Sequence, residues 1–165
     1  MKNLFSKSAM SVLALSTALF FSSCKDECKD VTCNNGGVCV EGACDCAVGY
    51  EGTDCSTEIR AKFIGTYTVS GTVACPVTGS GTIPSTSLVI TNSSASNTKI
   101  AINLLGVNLT ATVNGSSFTI DQSTQNNFTY TGSGSISGSN LTLTLNEQDP
   151  SIPETCVYTV NGPKQ

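Results

Sequence analysis

The sequence predicts a mainly β protein in two parts, a small disulfide-rich module followed by an eight-stranded antiparallel up-and-down β-barrel. Seven of the nine cysteines lie between Cys24 and Cys55, and only two follow. From residue 61 onward, apolar and polar residues alternate in short runs separated by Gly, Asn, Ser and Pro, without a helical period. A β-sandwich is the alternative arrangement of the same strands. We expect the module at 28–55, a linker at 56–60 and the β-domain at 61–162.

The first 23 residues have the pattern of an export signal. A basic start, MKNLFSK, precedes the apolar run SAMSVLALSTALFF, which is shorter than the ~20 residues that a helix needs to cross a bilayer. Phe21-Ser22-Ser23-Cys24 then resembles the lipobox of bacterial lipoproteins, although Phe21 replaces the usual Leu. The resemblance implies cleavage before Cys24, lipid attached to its sulfur, and 24–27 as the lipidated start of the mature chain. An ordinary signal peptide with a Cys24 thiol is the alternative.

Three charged residues follow the predicted anchor. Lys25-Asp26-Glu27 resembles the short tag that sends some lipoproteins of Gram-negative bacteria to the outer face of the outer membrane. On this basis we expect a lipid-anchored outer-membrane protein exposed at the cell surface. The periplasmic leaflet is the alternative location, in which case the run is a solvated linker.

Six cysteines define the predicted module. Their spacing is C-x4-C-x5-C-x4-C-x-C-x8-C, and sequence alone allows fifteen pairings of six cysteines. The spacing and the ending CDCAVGYEGTDC, with Gly49, Tyr50 and Gly52 at its turn, resemble the EGF-like domain. The resemblance implies that the first cysteine pairs with the third, the second with the fourth and the fifth with the sixth. These pairs are Cys28 with Cys39, Cys33 with Cys44, and Cys46 with Cys55.

The sequence predicts no metal, cofactor or catalytic centre. The chain lacks histidine, so it has no Ser-His pair and lacks a frequent zinc ligand, and cysteines of an exported protein form disulfides. Val40-Glu41-Gly42-Ala43 in the module is too poor in oxygen ligands for calcium. Glu147 and Asp149 lie beside a turn, where paired acids are usually solvated charges. We therefore expect a non-catalytic protein.

Eight alternating runs predict the strands of the barrel. The first covers 63–75, and its opening, Phe63-Ile64-Gly65-Thr66-Tyr67, resembles the opening of lipocalin-like barrels, with Tyr where that family usually has Trp. Asn114-Gly115 is the strongest hairpin turn between them. The other seven runs are 88–90, 100–104, 107–113, 118–120, 128–130, 141–145 and 156–160.

Closure of the barrel predicts a fourth disulfide. A closed up-and-down barrel pairs its first strand with its last, and Cys75 ends the first predicted strand while Cys156 begins the eighth. Both face inward by the alternation. Antiparallel neighbours place the end of one strand beside the start of the other, within the ~5.5 Å between α-carbons that a disulfide requires. We therefore expect a Cys75–Cys156 bond.

Two binding functions fit these features. We expect a cell-envelope interaction protein, with the module as stalk or docking surface and the β-domain binding an unknown protein or glycan. The alternative is a carrier whose barrel holds a small apolar ligand, as lipocalins do. A net charge of −4 with few Lys and Arg excludes nucleic acid. Five inward aromatic side chains either line the carrier's pocket or fill the core: Phe63, Tyr67, Phe118, Phe128 and Tyr130.

Overall fold

The structure, a computed structural model, describes residues 27–152 and 154–165. The predicted lipidation site at Cys24 and the first two residues of the Lys25-Asp26-Glu27 run lie outside the described residues. In these two ranges, no helix is long and apolar enough to cross a membrane.

The first part of the structure is the disulfide module (residues 28–55). Strand β1 (Val38–Val40) pairs with β2 (Ala43–Asp45), and β3 (Tyr50–Glu51) pairs with β4 (Thr57–Glu58), which follows the module in sequence. A segment this short cannot bury enough apolar surface to offset its chain entropy, so covalent links hold it. These links have the pairing that the resemblance implies: Cys28–Cys39, Cys33–Cys44 and Cys46–Cys55.

The second part is a closed antiparallel barrel of eight strands, as the sequence predicts. A short 3-10 helix (Ala61–Phe63) leads into it. Each strand pairs with its neighbours in sequence and the last pairs with the first, which excludes the alternative of a sandwich. The strands are β5 (Gly65–Cys75), β6 (Gly79–Asn92), β7 (Lys99–Leu104), β8 (Val107–Asn114), β9 (Ser117–Gln125), β10 (Phe128–Ser137), β11 (Asn140–Asp149) and β12 (Glu154–Pro163).

The barrel interior is filled by its own side chains. Phe63 and Phe118 meet edge to face with ring centroids 5.5 Å apart, and the Tyr67 hydroxyl donates a hydrogen bond to the Phe63 carbonyl at 2.8 Å. Phe63, Tyr67 and Phe118 are at most 1% exposed and Tyr130 is 4% exposed, so no void large enough for water lies against these rings. Four of the predicted pocket aromatics, Phe63, Tyr67, Phe118 and Tyr130, are therefore core residues.

The first predicted strand is wrong at its start. Strand β5 begins at Gly65, and Phe63 lies in the preceding 3-10 helix, where its ring packs on Phe118. Phe63 faces the core in this conformation as it would in an extended one. Alternation alone therefore cannot separate the two conformations.

The antiparallel strands give the barrel two chemically separate ends. The proximal end, where β5 begins and β12 ends, lies next to the 3-10 helix that follows the module, and the distal end is opposite. Connections alternate between these ends because successive strands run in opposite directions. The proximal turns are 93–98, 115–116 and 138–139, and the distal turns are 76–78, 105–106, 126–127 and 150–152.

The segment predicted as a linker, 56–60, is ordered and connects the two parts. Strand β4 lies inside it, and the Ile59 N–H donates a hydrogen bond to the Gly49 carbonyl at 3.0 Å. Ile59 also packs against the barrel core. These contacts use backbone groups and one aliphatic side chain, so the polar composition of the segment does not reveal them.

Arg60 joins this junction to the barrel by side-chain hydrogen bonds, and we call these contacts the Arg60 clamp. Its side chain is 11% exposed and lies 2.8 Å from a Glu58 carboxylate oxygen. One guanidinium nitrogen donates hydrogen bonds of 2.8 to 3.2 Å to three carbonyl oxygens of the first proximal turn and the start of β7. The three carbonyls belong to Ser93, Ser96 and Lys99.

Candidate functional site

The turns at the two ends of the barrel differ in composition. Val77, Leu105 and Ile152, each on a different distal turn, are 69%, 56% and 37% exposed. They are the only exposed large hydrophobic side chains in 56–152 and 154–165. The proximal turns contain only Ser, Ala, Asn, Thr and Gly. Scattered surface apolar residues are ordinary, but their concentration at one end makes the distal end the candidate binding surface.

A cleft of about 550 Å³ opens at this distal end. It lies between two distal turns, and the partly exposed Phe128 ring is its aromatic wall. Asn126 and Asn127 form a two-residue hairpin turn with φ of +51° and +70°, a conformation that Asn tolerates better than most residues. The side chains that characterise the cleft are Asn126, Asn127, Phe128, Asp149, Pro150 and Ser151.

Asp149 is the charged group of this cleft. Its Oδ1 accepts hydrogen bonds from the Ser151 hydroxyl at 2.5 Å and the Ser151 N–H at 2.8 Å. These bonds, the hydroxyl first, favour the carboxylate and lower the pKa of Asp149 below its usual value. The side chain is therefore ionised at neutral pH and held in one orientation.

A polar layer lies inside the distal mouth, next to the cleft. The strand register places Ser123, Tyr130, Glu147 and Cys156 side by side around the barrel. The Tyr158 hydroxyl donates a hydrogen bond to Glu147 Oε1 at 3.1 Å, and Tyr130 faces Glu147 across the β10–β11 pair. Burial and then Glu147 raise the pKa of Tyr130 to about 12, and the same causes raise the pKa of Tyr158. Both phenols therefore stay protonated at neutral pH, and Tyr158 donates to Glu147.

The predicted disulfide links β5 to β12 at the distal end. Cys75 and Cys156 are bonded with their α-carbons 4.3 Å apart. The Glu154 carboxylate is buried and accepts hydrogen bonds from the Thr78 N–H at 3.0 Å and the Thr78 hydroxyl at 2.6 Å. This carboxylate fixes the turn that carries Val77 onto β12. Cys75, Glu154 and Cys156 are close enough to hold a metal, but sulfurs in a disulfide are not thiolate ligands.

Charge is also separated along the barrel. Glu147, Asp149 and Glu154 lie at the distal end, and Asp149 pairs with Glu154 in the β11–β12 register. No ion pair between described residues involves any of these three acids. The distal surface therefore carries negative charge that the described chain does not neutralise. Basic residues after position 59 all lie at the proximal end: Arg60, Lys62, Lys99 and Lys164.

The turn residues identified by the EGF-like resemblance lie at the junction of the two parts. Gly49 has a φ of +96°, and a Cβ there would come within 2.5 Å of the Asn97 side chain. Tyr50 belongs to β3 and faces Glu58 across the pair, and the Gly52 carbonyl accepts the Cys55 N–H at 3.3 Å. Gly49 and Tyr50 thus join the module to the barrel.

Only one predicted pocket residue belongs to the distal cleft. Phe128 lines it, whereas the other four aromatics are in the core. The sequence predicts turns at Asn126-Asn127 and from Asp149 to Pro153, with Asp149 as a solvated charge, but it does not predict that these positions share a cleft. A usable signal is the order of the turns, because alternate turns of an up-and-down barrel share an end, and sorting them this way groups Val77, Leu105 and Ile152.

No protein-family model matches the chain, and no curated protein matches it. Among solved structures, the chain is similar to a Bacteroides fragilis protein described as a candidate outer membrane protein, with 20% sequence identity and a TM-score of 0.46. The match covers 64% of this chain and 52% of that protein, so the chain spans about half of its length. A likeness of this extent does not identify a function for this chain.

Proposed function

We propose that this protein is a non-catalytic, lipid-anchored binding protein of the cell envelope that presents the distal end of its barrel to a partner. One observation carries the proposal: large apolar side chains are exposed on distal turns, whereas the proximal turns are small and polar. Grouped apolar residues with polar neighbours are typical of interaction sites. The filled interior argues against the alternative of an apolar-ligand carrier.

The order of the parts supports this function. Cys24, which resembles a lipoprotein attachment site, lies four positions before Cys28, so the disulfide module directly follows the anchor. We interpret the module as an EGF-like stalk. It meets the proximal end of the barrel through Ile59 and Arg60, which leaves the distal end on the far side of the barrel from the junction.

The anchor and the membrane face have a direct test. Cys24→Ser should release the protein from membranes without detergent, because lipid on this sulfur is the proposed attachment. Added protease should cleave the wild-type protein on intact cells, and replacing Lys25-Asp26-Glu27 with three alanines should protect it while lipidation persists. Membrane retention of Cys24→Ser would contradict the anchor. Protection of the wild type would place it on the periplasmic leaflet.

The binding surface is tested by photo-crosslinking in intact cells. A benzoylphenylalanine replaces Val77 or Ile152 on distal turns, and Ser116 or Ser139 on proximal turns serves as the matched control. We expect both distal positions to yield an adduct with the same envelope component, identified by mass spectrometry. Equal adducts from the proximal positions, or none from any position, would contradict the proposed surface.

A further inference from the structure

We infer that the distal surface binds a protein partner through an arginine or lysine side chain flanked by apolar groups, with the cation seated in the cleft between Phe128 and Asp149. The inference rests on the proposed function, because it names the chemistry of the partner at the same surface. Three independent features lead to it, namely the charge of the distal end, the lining of the cleft and the apolar turns around it.

The negative charge of the distal end favours binding of a cation from outside the described chain. Glu147, Asp149 and Glu154 lie within one hairpin, and Asp149 and Glu154 are direct cross-strand neighbours. No ion pair of the described residues involves any of these acids. A bound cation would be attracted by this negative charge, whereas a phosphate, an acidic peptide or an anionic membrane would be repelled by it.

The lining of the cleft fits a guanidinium or ammonium group. Phe128 lines the cleft and supplies the aromatic side chain that a cation–π contact requires, and the ionised, oriented Asp149 carboxylate offers an ion pair. Side-chain oxygens of Asn126, Asn127 and Ser151 can accept further N–H donors. The cleft has no basic side chain, and its volume of about 550 Å³ is within the usual range for ligand sites.

The surrounding turns favour a protein over a glycan. Val77, Leu105 and Ile152 would be covered by apolar side chains on either side of the cation. A neutral oligosaccharide would instead place hydroxyl groups against these side chains and leave the three acids uncompensated. Apolar contacts around a desolvated charge pair are typical of the centre of a protein interface.

Nuclear magnetic resonance titration of the full chain carrying Cys24→Ser tests the inference. The probes are acetyl-Val-Arg-Val-amide, the uncharged analogue acetyl-Val-citrulline-Val-amide, and maltohexaose. We expect the arginine peptide to shift the amide signals of Asn126, Asn127 and Phe128 and to bind about tenfold more tightly than the citrulline peptide. Its affinity should fall as salt is added, because the interaction is partly ionic.

Two matched variants complete the experiment. Asp149→Asn should weaken binding of the arginine peptide about fivefold and leave the citrulline peptide unchanged, whereas Asp45→Asn, an exposed acid of β2 in the module, should change neither. Equal affinity for the two peptides, an unchanged affinity in Asp149→Asn, or signals shifted only outside the cleft would overturn the inference. Tighter binding of maltohexaose at the same signals would overturn it in favour of a glycan.

Failure of the inference and failure of the proposed function give different results. Distal crosslinks in cells without discrimination between the two peptides would refute the cationic partner and keep the binding surface. Peptide discrimination without distal crosslinks would support the cation site as a chemical property of the cleft and refute the proposed function.

Discussion

The two ends of the barrel use apolar side chains in opposite ways. At the proximal end, Phe63 and Tyr67 lie inside the barrel, the turns are small and polar, and Arg60 fastens the junction with the module. At the distal end the inward layer contains Tyr130 and Glu147, a disulfide links two strands, and apolar side chains point into solvent. The proximal end thus carries buried aromatic packing and the junction with the module, and the distal end carries the exposed apolar side chains. Substitutions at the two ends should therefore separate stability from the binding proposed for the distal surface.

The largest expected loss in the free energy of unfolding comes from a substitution at the proximal end. Phe63→Ala removes a fully buried ring that packs on Phe118, and it should lower the free energy of unfolding by about 4 kcal/mol, measured by urea denaturation. The matched distal variant, Phe128→Ala, removes a partly exposed ring and should cost about 1 kcal/mol while reducing binding of the arginine peptide. Equal losses of stability at the two ends would contradict the comparison.

Removal of the distal disulfide should cause the next largest loss in the free energy of unfolding. Replacing both Cys75 and Cys156 with Ala removes a link between residues 81 apart in sequence and should cost about 3 kcal/mol in the same assay without reductant. The wild type with reductant is the control, although its module also loses three disulfides. No change in stability would mean that strand pairing alone closes the distal end.

Loss of the Arg60 clamp should lower the free energy of unfolding by less than loss of the disulfide. Arg60→Gln removes the guanidinium donor from three carbonyl oxygens near the first proximal turn, two of which also accept backbone N–H groups, and should cost about 2 kcal/mol. Hydrogen exchange at the Ser93 and Lys99 amides, which are bonded within this turn, should become faster. Lys62→Gln is the control, since it breaks a partly exposed ion pair with Glu51 and should cost less than about 1 kcal/mol. Similar losses in both variants would argue against a clamp.

The last effect appears only at alkaline pH and concerns the distal end. The pKa of Tyr130 is raised from 10.0 to about 12 by burial and by Glu147, so its contribution to stability is complete below pH 10 and is lost as pH rises toward 12. The loss arises because the unfolded tyrosine ionises first. Tyr130→Phe should make the free energy of unfolding less dependent on pH in this window than in the wild type. Glu147→Gln should lower the raised pKa only in part, as phenolate absorbance would show, because burial is the larger cause.

The sequence predicts the fold better than it predicts the site. Alternation is a local pattern that suffices for eight strands, and closure of an up-and-down barrel by its first and last strands then predicts the bond between Cys75 and Cys156. The Arg60 clamp could not be predicted in this way, because its partners are backbone carbonyls, which leave no pattern in the sequence. Phe128 was predicted as inward, but its place beside Asp149 depends on two turns that are distant in sequence and meet only in the closed barrel.

The even number of strands determines how the distal surface can change. Because β5 begins and β12 ends at the proximal end, every distal turn only connects two neighbouring strands that are already paired. Doubling the length of such a loop costs only about 0.6 kcal/mol of closure entropy. Three of the four distal turns can therefore be lengthened or exchanged by themselves while the strand register is kept, whereas 76–78 is tied to β12 by the hydrogen bonds of Thr78 with Glu154. The same scaffold can in this way present a different distal surface without rebuilding its core.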